Sequence, residues 1–307
     1  MSLSIPFVYH ASYSQLALPS THRFPTTKYH NLYQHALKQQ LLFEQYRHTP
    51  TPISKDTLYT VHCPQYVEQF INGALYHKAQ RRIGFPWSQE LVTRTLHAVN
   101  GTRLCAELAL DHGIAVHLTG GYHHAHYDFG SGFCIFNDLV IAARSAIDSG
   151  RADKVLIFDC DVHQGDGTAT LTQGHSDIIS CSIHCAQNFP SRKQQSDHDI
   201  ALDKGCTDKQ YLEHIQQILP YLIRIHQPDL IIYDAGVDIH QHDDLGYFAI
   251  SNQGILARDK QVISIAKMNG IPLAAVIGGG YSRSEAELTI RHSQLLVAAN
   301  ELWASQY

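Results

Sequence analysis

Residues 155–167 read VLIFDCDVHQGDG, an apolar run that ends abruptly in acids and a histidine. The run itself, residues 155–158, is typical of a buried strand. Four polar side chains follow it directly: Asp159, Asp161, His163 and Asp166. Such groups are costly at the end of a buried strand unless something neutralises them, and a divalent metal does so. The stretch therefore predicts a metal site at a strand end; the simpler alternative is a charged surface loop.

Short β-branched runs alternate with helical segments through most of the chain. Strands are predicted at 114–118, 155–158, 178–183, 230–233 and 273–277. Helices are predicted at 29–46, 64–76, 91–110, 137–148, 208–226, 252–268 and 284–303. This alternation is typical of βαβ units. We therefore expect an α/β fold with a single open parallel sheet flanked by helices, forming one domain over residues 1–307.

The composition is that of an ordinary globular protein and excludes several classes. The 307 residues are 44% apolar, so a sizeable core can form, and the formal net charge of -5 argues against direct binding of nucleic acid. The seven cysteines form no CxxC pair, which favours reduced thiols and a cytoplasmic location. No apolar run approaches 18 residues and the first ten residues lack a signal-peptide pattern, so we expect no membrane association.

Residues with chemical potential also follow the other predicted strands. His123 and His124 come after the strand at 114–118, Asp238 after the strand at 230–233, and Tyr281 after the strand at 273–277. In an open α/β sheet, ligands bind at the carboxyl ends of the strands. We therefore expect these side chains to meet in one crevice.

A catalytic zinc usually has three protein ligands and keeps one position for water. Asp161 and His163 are the expected direct ligands, and Asp238 is the best candidate for the third because it follows a separate strand. A lone aspartate after a strand is otherwise a helix cap or turn residue. Aspartate and histidine suit ferrous iron as well as zinc, so Zn²⁺ and Fe²⁺ both remain open.

Amide hydrolysis at such a metal also needs a base for the water and an acid for the departing amine. Two imidazoles, His123 and His124, can divide those tasks, although adjacent histidines alone are weak evidence in a chain with 22 of them. Each imidazole needs a carboxylate to fix its tautomer, and Asp159 and Asp166 are the two acids not used on the metal. Tyr281 follows three glycines and offers a phenol to a developing oxyanion.

Five segments in order make the chain resemble the zinc-dependent histone deacetylase superfamily, most of all its bacterial, class IV-like branch. The segments are GGYHHA at 120–125, GFCIFND at 132–138, DCDVHQGDG at 159–167, DAGVD at 234–238 and GGGY at 278–281. The resemblance extends from about residue 20 to residue 300. It implies the arginase/deacetylase fold, a single parallel sheet between helices.

The resemblance also assigns roles to individual residues. It implies zinc held by Asp161, His163 and Asp238, the pairs His123–Asp159 and His124–Asp166, and Tyr281 polarising the acyl carbonyl. It implies a substrate tunnel flanked by Phe133 and Phe189 with Leu245 near its mouth. From the residues alone, core packing is the better explanation of the two phenylalanines. A structural K⁺ is expected on oxygens of five residues: Asp159, Asp161, His163, Ser182 and Ile183.

The predicted activity is zinc-dependent hydrolysis of the amide in an N-acyl (acetyl) lysine or a related acylated amine. An acetylpolyamine or small-amide amidohydrolase is an alternative substrate class. A binuclear-manganese ureohydrolase is a further alternative, but it requires a second set of acids and an Asp-x-His-x-Asp order, whereas residues 159–163 have Asp-x-Asp-x-His. A silent module that binds acylated lysine is disfavoured by the complete set of ligands, imidazoles and phenol.

Overall fold

The computed structural model describes residues 5–303, and a single eight-stranded sheet runs through them. Its strands are β1 (Phe7–Val8), β2 (Arg47–His48), β3 (Ile114–His117), β4 (Val155–Asp159), β5 (Ile178–Cys185), β6 (His198–Leu202), β7 (Leu230–Asp234) and β8 (Leu273–Val276). Every strand pair is parallel, in the order β2-β1-β3-β8-β7-β4-β5-β6. The predicted α/β class with one open parallel sheet is confirmed.

Helices pack against this sheet. They are α1 (Lys28–Lys38), α2 (Lys55–Tyr59), α3 (Pro64–Ile71), α4 (His77–Ile83), α5 (Gln89–His112), α6 (Asp138–Asp148), α7 (Asp166–Thr172), α8 (Asp208–His226), α9 (Asn252–Met268) and α10 (Glu285–Trp303). Strands β3, β4, β5, β7 and β8 are buried along their whole length. Burial on both faces explains why these strands are continuous apolar runs in the sequence.

The strand order determines which loops can meet. β8 lies between β3 and β7, and β7 lies between β8 and β4. The carboxyl ends of β3, β8, β7 and β4 are thus neighbours along one edge, although they come from positions 117, 276, 234 and 159. Every residue predicted to take part in catalysis or to bind the catalytic metal lies at the end of one of these four strands or in the segment that follows it.

Two predicted helices are too long. The helix expected at 29–46 ends at Lys38, because the chain turns through Gln40 (φ 55°) and buries Leu42 before a short 3₁₀ turn at Glu44–Tyr46. The helix expected at 64–76 ends at Ile71 because Gly73 has a φ of 68°. A Cβ at Gly73 would lie 2.9 Å from the indole of Trp87, so the indole also occupies that position.

Several short elements lacked a periodic signal and were missed. They are β1, β2, β6, α2, α4 and α7. β6 alternates intermediate and exposed residues as an edge strand, so no apolar run marks it. β5 extends through Cys185, beyond the predicted end of this strand at residue 183. His184 therefore lies inside the strand and not in the loop after it. Within residues 5–303, no helix combines the length and apolarity needed to cross a membrane.

Candidate active site

The loop after β4 is held in place by the acids it carries. Asp159 Oδ1 accepts the backbone N–H of Asp161 at 3.0 Å, and Asp161 Oδ1 accepts the N–H of His163 at 2.9 Å. The loop after β7 joins it, because Asp238 Oδ1 accepts the N–H of Val162 at 2.9 Å. The carboxylates of Asp161 and Asp238 are therefore held in place by backbone N–H groups.

These three side chains form a compact candidate metal centre. Their ligand atoms lie within 4.8 Å of one another, and all three residues are buried. Nδ1 of His163 is 2.9 Å from Asp161 Oδ1 and 3.2 Å from Asp238 Oδ2. Among residues 5–303, Asp238 Oδ2 has no hydrogen-bond donor despite its burial. A buried, undonated carboxylate oxygen beside an imidazole nitrogen and a second carboxylate fits a divalent cation, and the donor set suits Zn²⁺ or Fe²⁺.

The charges of His163, Asp161 and Asp238 affect one another's pKa values. Burial opposes the charge on His163, but the adjacent carboxylates of Asp161 and Asp238 outweigh it and raise the pKa of His163 to about 10. Burial and the negative charge of Asp161 raise the pKa of Asp238 to about 6. In the absence of a cation, the two carboxylates therefore favour a proton on the imidazole of His163. A metal ligand must give up that proton, so a cation and the proton compete for the same place.

His123 is paired with Asp159, as predicted. Its Nδ1 lies 2.7 Å from Asp159 Oδ2, and its Nε2 faces the Nε2 of His124 at 3.1 Å. Burial alone would lower the pKa of His123, but the carboxylates of Asp159 and Asp161 hold it well above the ordinary histidine value. The cationic form of this imidazole is therefore favoured.

His124 is paired with Asp166, also as predicted, and has the opposite electrostatic preference. Its Nδ1 lies 2.6 Å from Asp166 Oδ1. Burial and then the charge of His123 lower the pKa of His124 to about 4, against the effect of Asp166. His126, which the sequence analysis did not single out, shares the carboxylate through Nε2 at 3.2 Å from Asp166 Oδ2. The two adjacent imidazoles thus favour different protonation states.

Tyr281 lies on the opposite wall of the same small cavity. The cavity has a volume of about 30 Å³, and its lining includes His123, His124, Asp161, His163 and Tyr281. Burial, followed by the charges of Asp161 and Asp238, keeps the pKa of Tyr281 well above its ordinary value. The side chain is therefore a neutral phenol that can donate a hydrogen bond into the cavity.

We use the word entrance for the surface that contains the predicted tunnel residues Phe133, Phe189 and Leu245. The ring of Phe133 is 5.9 Å from that of Tyr281, and the residue adopts a φ of 67° while its N–H donates to Ile83 O at 2.8 Å. Phe189 is 42% exposed and its ring stands edge-on to His124 at 4.8 Å. Leu245 is partly buried and accepts a bond from Asn188, the neighbour of Phe189. Phe133 therefore lies beside Tyr281, Phe189 lies beside His124, and Leu245 is linked to the neighbour of Phe189; their role as tunnel residues stays a prediction.

The residues expected to hold K⁺ lie on two paired strands and the loop after them. Ser182 of β5 is in register with Asp159 of β4, and Ile183 follows it along β5. Asp161 and His163 belong to the loop after β4. The side-chain hydroxyl of Ser182 is 3.0 Å from Nδ1 of His184. The K⁺ site stays a prediction.

Asp234, at the end of β7, was missed as a site residue. It is fully buried, and neither carboxylate oxygen has a hydrogen-bond partner in the part of the chain from residue 5 to 303. Burial and the charge of Asp159 raise its pKa well above the ordinary value. With His123 and Asp159 it forms a second group whose ligand atoms lie within 4.8 Å of one another.

Glycines enclose the carboxylate of Asp234. A Cβ at Gly278 would lie 2.0 Å from Oδ1, and a Cβ at Gly121 would lie 2.5 Å from Oδ2. Both glycines have positive φ values, 60° and 83°. Only glycine satisfies both the backbone conformation and the close approach at these two positions.

The loop that carries the imidazole pair is anchored from behind by another acid that the sequence analysis missed. Asp138 accepts the N–H of Gly121 at 3.1 Å and that of Tyr122 at 2.7 Å, and it also accepts the hydroxyl of Thr102. Asp138 opens α6 directly after the N-cap Asn137. An aspartate in the first helical turn is common, so its second contact had no separate signal in the sequence.

Comparison with known proteins gives a consistent result. The histone deacetylase domain family matches residues 22–296. An uncharacterized protein of Picosynechococcus sp. is 44% identical over 301 residues, covering 98% of this chain and 100% of that protein. Histone deacetylase 2 of Arabidopsis thaliana is 28% identical over 303 residues, covering 92% and 76%. A probable deacetylase of Methanothermobacter thermautotrophicus is 30% identical over 201 residues, covering 60% and 58%.

Solved structures show the same fold. The crystal structure of the HDA15 HD domain aligns with a TM-score of 0.79 at 19% identity, covering 98% of this chain and 90% of that one. At this identity the likeness shows the fold alone. It agrees with the single parallel sheet flanked by helices described above.

Proposed function

The chain belongs to the histone deacetylase family, and we propose that it is a zinc-dependent deacylase acting on N-acyl (acetyl) lysine or a related acylated amine. Family membership identifies a hydrolase of the deacetylase type. One observation supports the finer proposal most directly. A single cavity is lined by the imidazoles of two His–Asp pairs, by two residues of the three-residue candidate metal centre and by a neutral phenol.

Asp161, His163 and Asp238 would hold the zinc, with Fe²⁺ as the alternative ion. The fit rests on the undonated Oδ2 of Asp238 and on the short distances from His163 Nδ1 to both carboxylates. When bound, the metal polarises the acyl oxygen and activates the attacking water. Gly279 supports the arrangement, since its N–H donates to Asp161 Oδ2 at 3.0 Å.

The imidazoles would move the protons. His124 is the better base because burial and the charge of His123 keep it neutral, so it can accept the proton of the attacking water. His123, whose cationic form is stabilised by Asp159, is suited to donate a proton to the leaving amine. Asp159 and Asp166 fix the ring orientations through Nδ1, which leaves both Nε2 atoms directed at each other near the cavity.

Tyr281 would stabilise the charge that develops on the acyl oxygen. A phenol held in its neutral form donates a hydrogen bond to an oxyanion more strongly than to a carbonyl oxygen, which favours the transition state. Phe133 and Phe189 would flank the acyl chain, with Leu245 near the mouth. The net charge and the seven free cysteines support a cytoplasmic enzyme that does not bind nucleic acid directly.

A substrate panel tests this proposal. Purified protein is stripped of metal, reloaded with one equivalent of Zn²⁺ or Fe²⁺, and incubated with an acetyl-lysine peptide, longer acyl-lysine peptides and acetylputrescine. We expect release of free amine from at least one substrate, lost on chelation and restored by metal. Failure of every acylated amine to react, with metal content verified, would contradict the proposal.

One observation favours a second candidate, a binuclear ureohydrolase. The group His123, Asp159 and Asp234 supplies the second set of acids that such an enzyme requires. Against it, the 2.7 Å contact from His123 to Asp159 already satisfies both groups without a metal. Metal analysis separates the two candidates: two ions per chain, falling to one in Asp234→Asn, would favour the ureohydrolase, and a single ion in both proteins favours the deacylase.

A further inference from the structure

Tyr281 depends on outside support for its position. It follows Gly278, Gly279 and Gly280, which have no side chains that could pack and hold the segment. Gly278 also has a positive φ of 60°. A phenol that must meet a developing oxyanion has to be held within a fraction of an ångström. The groups that hold the backbone at Tyr281 therefore matter for its chemistry.

The carboxylate of Asp243 is one of those groups, and it also contacts the loop after β7. Its Oδ2 accepts the N–H of Tyr281 at 2.7 Å. Its Oδ1 accepts the N–H of Leu245 at 2.9 Å and that of Gly246 at 3.0 Å. The next residue, Asp244, completes the link by donating its N–H to Tyr281 O at 3.0 Å. One side chain thus joins the phenol-bearing segment to the loop after β7.

The same loop reaches the metal ligand and the entrance. A Cβ at Gly246 would lie 1.7 Å from the backbone oxygen of Asp238, so the loop folds back directly onto that residue. Leu245 O accepts a bond from the Asn188 side chain at 2.9 Å, next to Phe189. Asp243 therefore lies between the ligand Asp238, the phenol of Tyr281 and the wall of the entrance.

We propose that Asp243 is a positioning residue that acts through Tyr281: it sets the place of the phenol relative to Asp238 and couples it to the entrance at Leu245. The inference rests on the proposed function for its catalytic consequence. Its structural basis is that the two carboxylate oxygens of Asp243 have different partners. One accepts the N–H of Tyr281, and the other accepts the N–H groups of Leu245 and Gly246. An amide cannot serve both sides, because its nitrogen accepts no hydrogen bond.

Asp243→Asn tests the proposal in a double-mutant cycle with Tyr281→Phe. We expect kcat to fall at least about tenfold with a smaller change in KM, because a displaced phenol loses transition-state stabilisation. In the Tyr281→Phe background, Asp243→Asn should cost little more. The matched control is Asp244→Asn. The side chain of Asp244 is exposed, and this residue contacts Tyr281 through its backbone N–H. An equal loss of kcat in both backgrounds would overturn the proposal.

A second readout does not need turnover. 3-Fluorotyrosine placed at position 281 gives a ¹⁹F resonance that reports the setting of the ring. The resonance should shift or broaden in Asp243→Asn and stay unchanged in Asp244→Asn; an unchanged spectrum in Asp243→Asn overturns the proposal. If wild-type protein proves inactive on every acylated amine, the proposed function fails while this spectrum still decides the positioning role. If Asp243→Asn does not fold, Asp243→Glu replaces it, with the same expectations.

Discussion

At the scale of single residues, one imidazole of the candidate active site favours its cationic form and the other its neutral form. Their Nε2 atoms are only 3.1 Å apart. The difference comes from their partners. His123 faces the carboxylates of Asp159 and Asp161, whereas His124 faces Asp166 and the positive charge of His123. One charge on the pair therefore favours a neutral neighbour. Two chemically identical side chains thus favour different protonation states because their surroundings differ.

Replacing His124 by alanine should remove the base. We expect kcat with an acyl-lysine peptide to fall by about 10²–10⁴, the usual contribution of a positioned proton acceptor, while the protein retains its metal. Steady-state kinetics and metal analysis measure the two quantities. His77→Ala, an exposed histidine at the start of α4, is the control and should leave both unchanged. Retention of full turnover in His124→Ala would refute the assignment.

Tyr281→Phe removes one hydroxyl and should leave the fold intact. Loss of a single donor to an oxyanion typically lowers kcat by about 10²–10³. The control Tyr247→Phe changes a tyrosine that is 42% exposed, and it should retain wild-type kinetics. A kcat within a factor of about two of wild type, with unchanged thermal stability, would show that the phenol does not stabilise the transition state.

Site residues that lie close together in sequence motifs could be predicted from the sequence, whereas isolated ones could not. The pairs His123–Asp159 and His124–Asp166 were expected and have short contacts in the structure. Asp234, Asp138 and Asp243 were not assigned roles, because an isolated aspartate at a strand end, helix start or turn has the same local pattern whether or not it contacts a distant loop. The distant partners of Asp138 and Asp243 are 16 to 38 residues away, and Asp234 groups with His123 and Asp159, which are further still, so these contacts depend on the strand order.

At the scale of elements, apolar runs were a reliable guide and weakly periodic segments were not. The central strands β4 and β7 are buried on both faces, so their sequences are continuous apolar runs that the analysis located. β6 and the two-residue strands β1 and β2 have no such run. The end of α1 depends on burial of Leu42 after the turn, which is a tertiary effect.

The long helix α5 offers a stability test at its first turn. Ser88 is its N-cap, and the side-chain oxygen accepts the N–H of Leu91 at 3.1 Å. Ser88→Ala should lower the free energy of unfolding by about 1 kcal/mol, because one N–H at the helix start loses its acceptor. Urea denaturation measures the change. Ser20→Ala, at an exposed loop position, serves as the reference and should have no effect beyond a few tenths of a kcal/mol.

At the scale of the whole molecule, two buried histidines far along the chain from each other make stability depend on pH. His62 donates from Nδ1 to His126 O at 2.9 Å and accepts the N–H of Asn137 at Nε2, also at 2.9 Å, which fixes it as the neutral tautomer. Burial lowers the pKa of His62 to about 4 and that of His117 to about 3. Both must gain a proton when the protein unfolds in mild acid.

We therefore expect the contribution of these two histidines to stability to fall as the pH decreases below about 6.5. A histidine whose folded pKa lies below its unfolded value stabilises the fold above the unfolded pKa and loses that contribution as the pH falls toward the folded pKa. For His62 the contribution is about 3 kcal/mol between pH 6.5 and 4. Urea midpoints at pH 7, 6 and 5 measure the slope. His62→Gln should be flatter over this range than wild type, and His77→Gln should match it; parallel slopes for all three proteins would contradict the prediction.

The strand order also has a consequence for synthesis on the ribosome. Asp161 and His163 emerge together, but Asp238 follows only after β5, β6, α8 and β7 have been translated, on the order of ten seconds later. Until then a nascent chain presents two ligands of the three, and the neighbouring strand β7 that would bring in the third does not exist. Under the proposed function, a translating chain would retain its cation only after Asp238 has emerged, which makes metal loading a late step of synthesis.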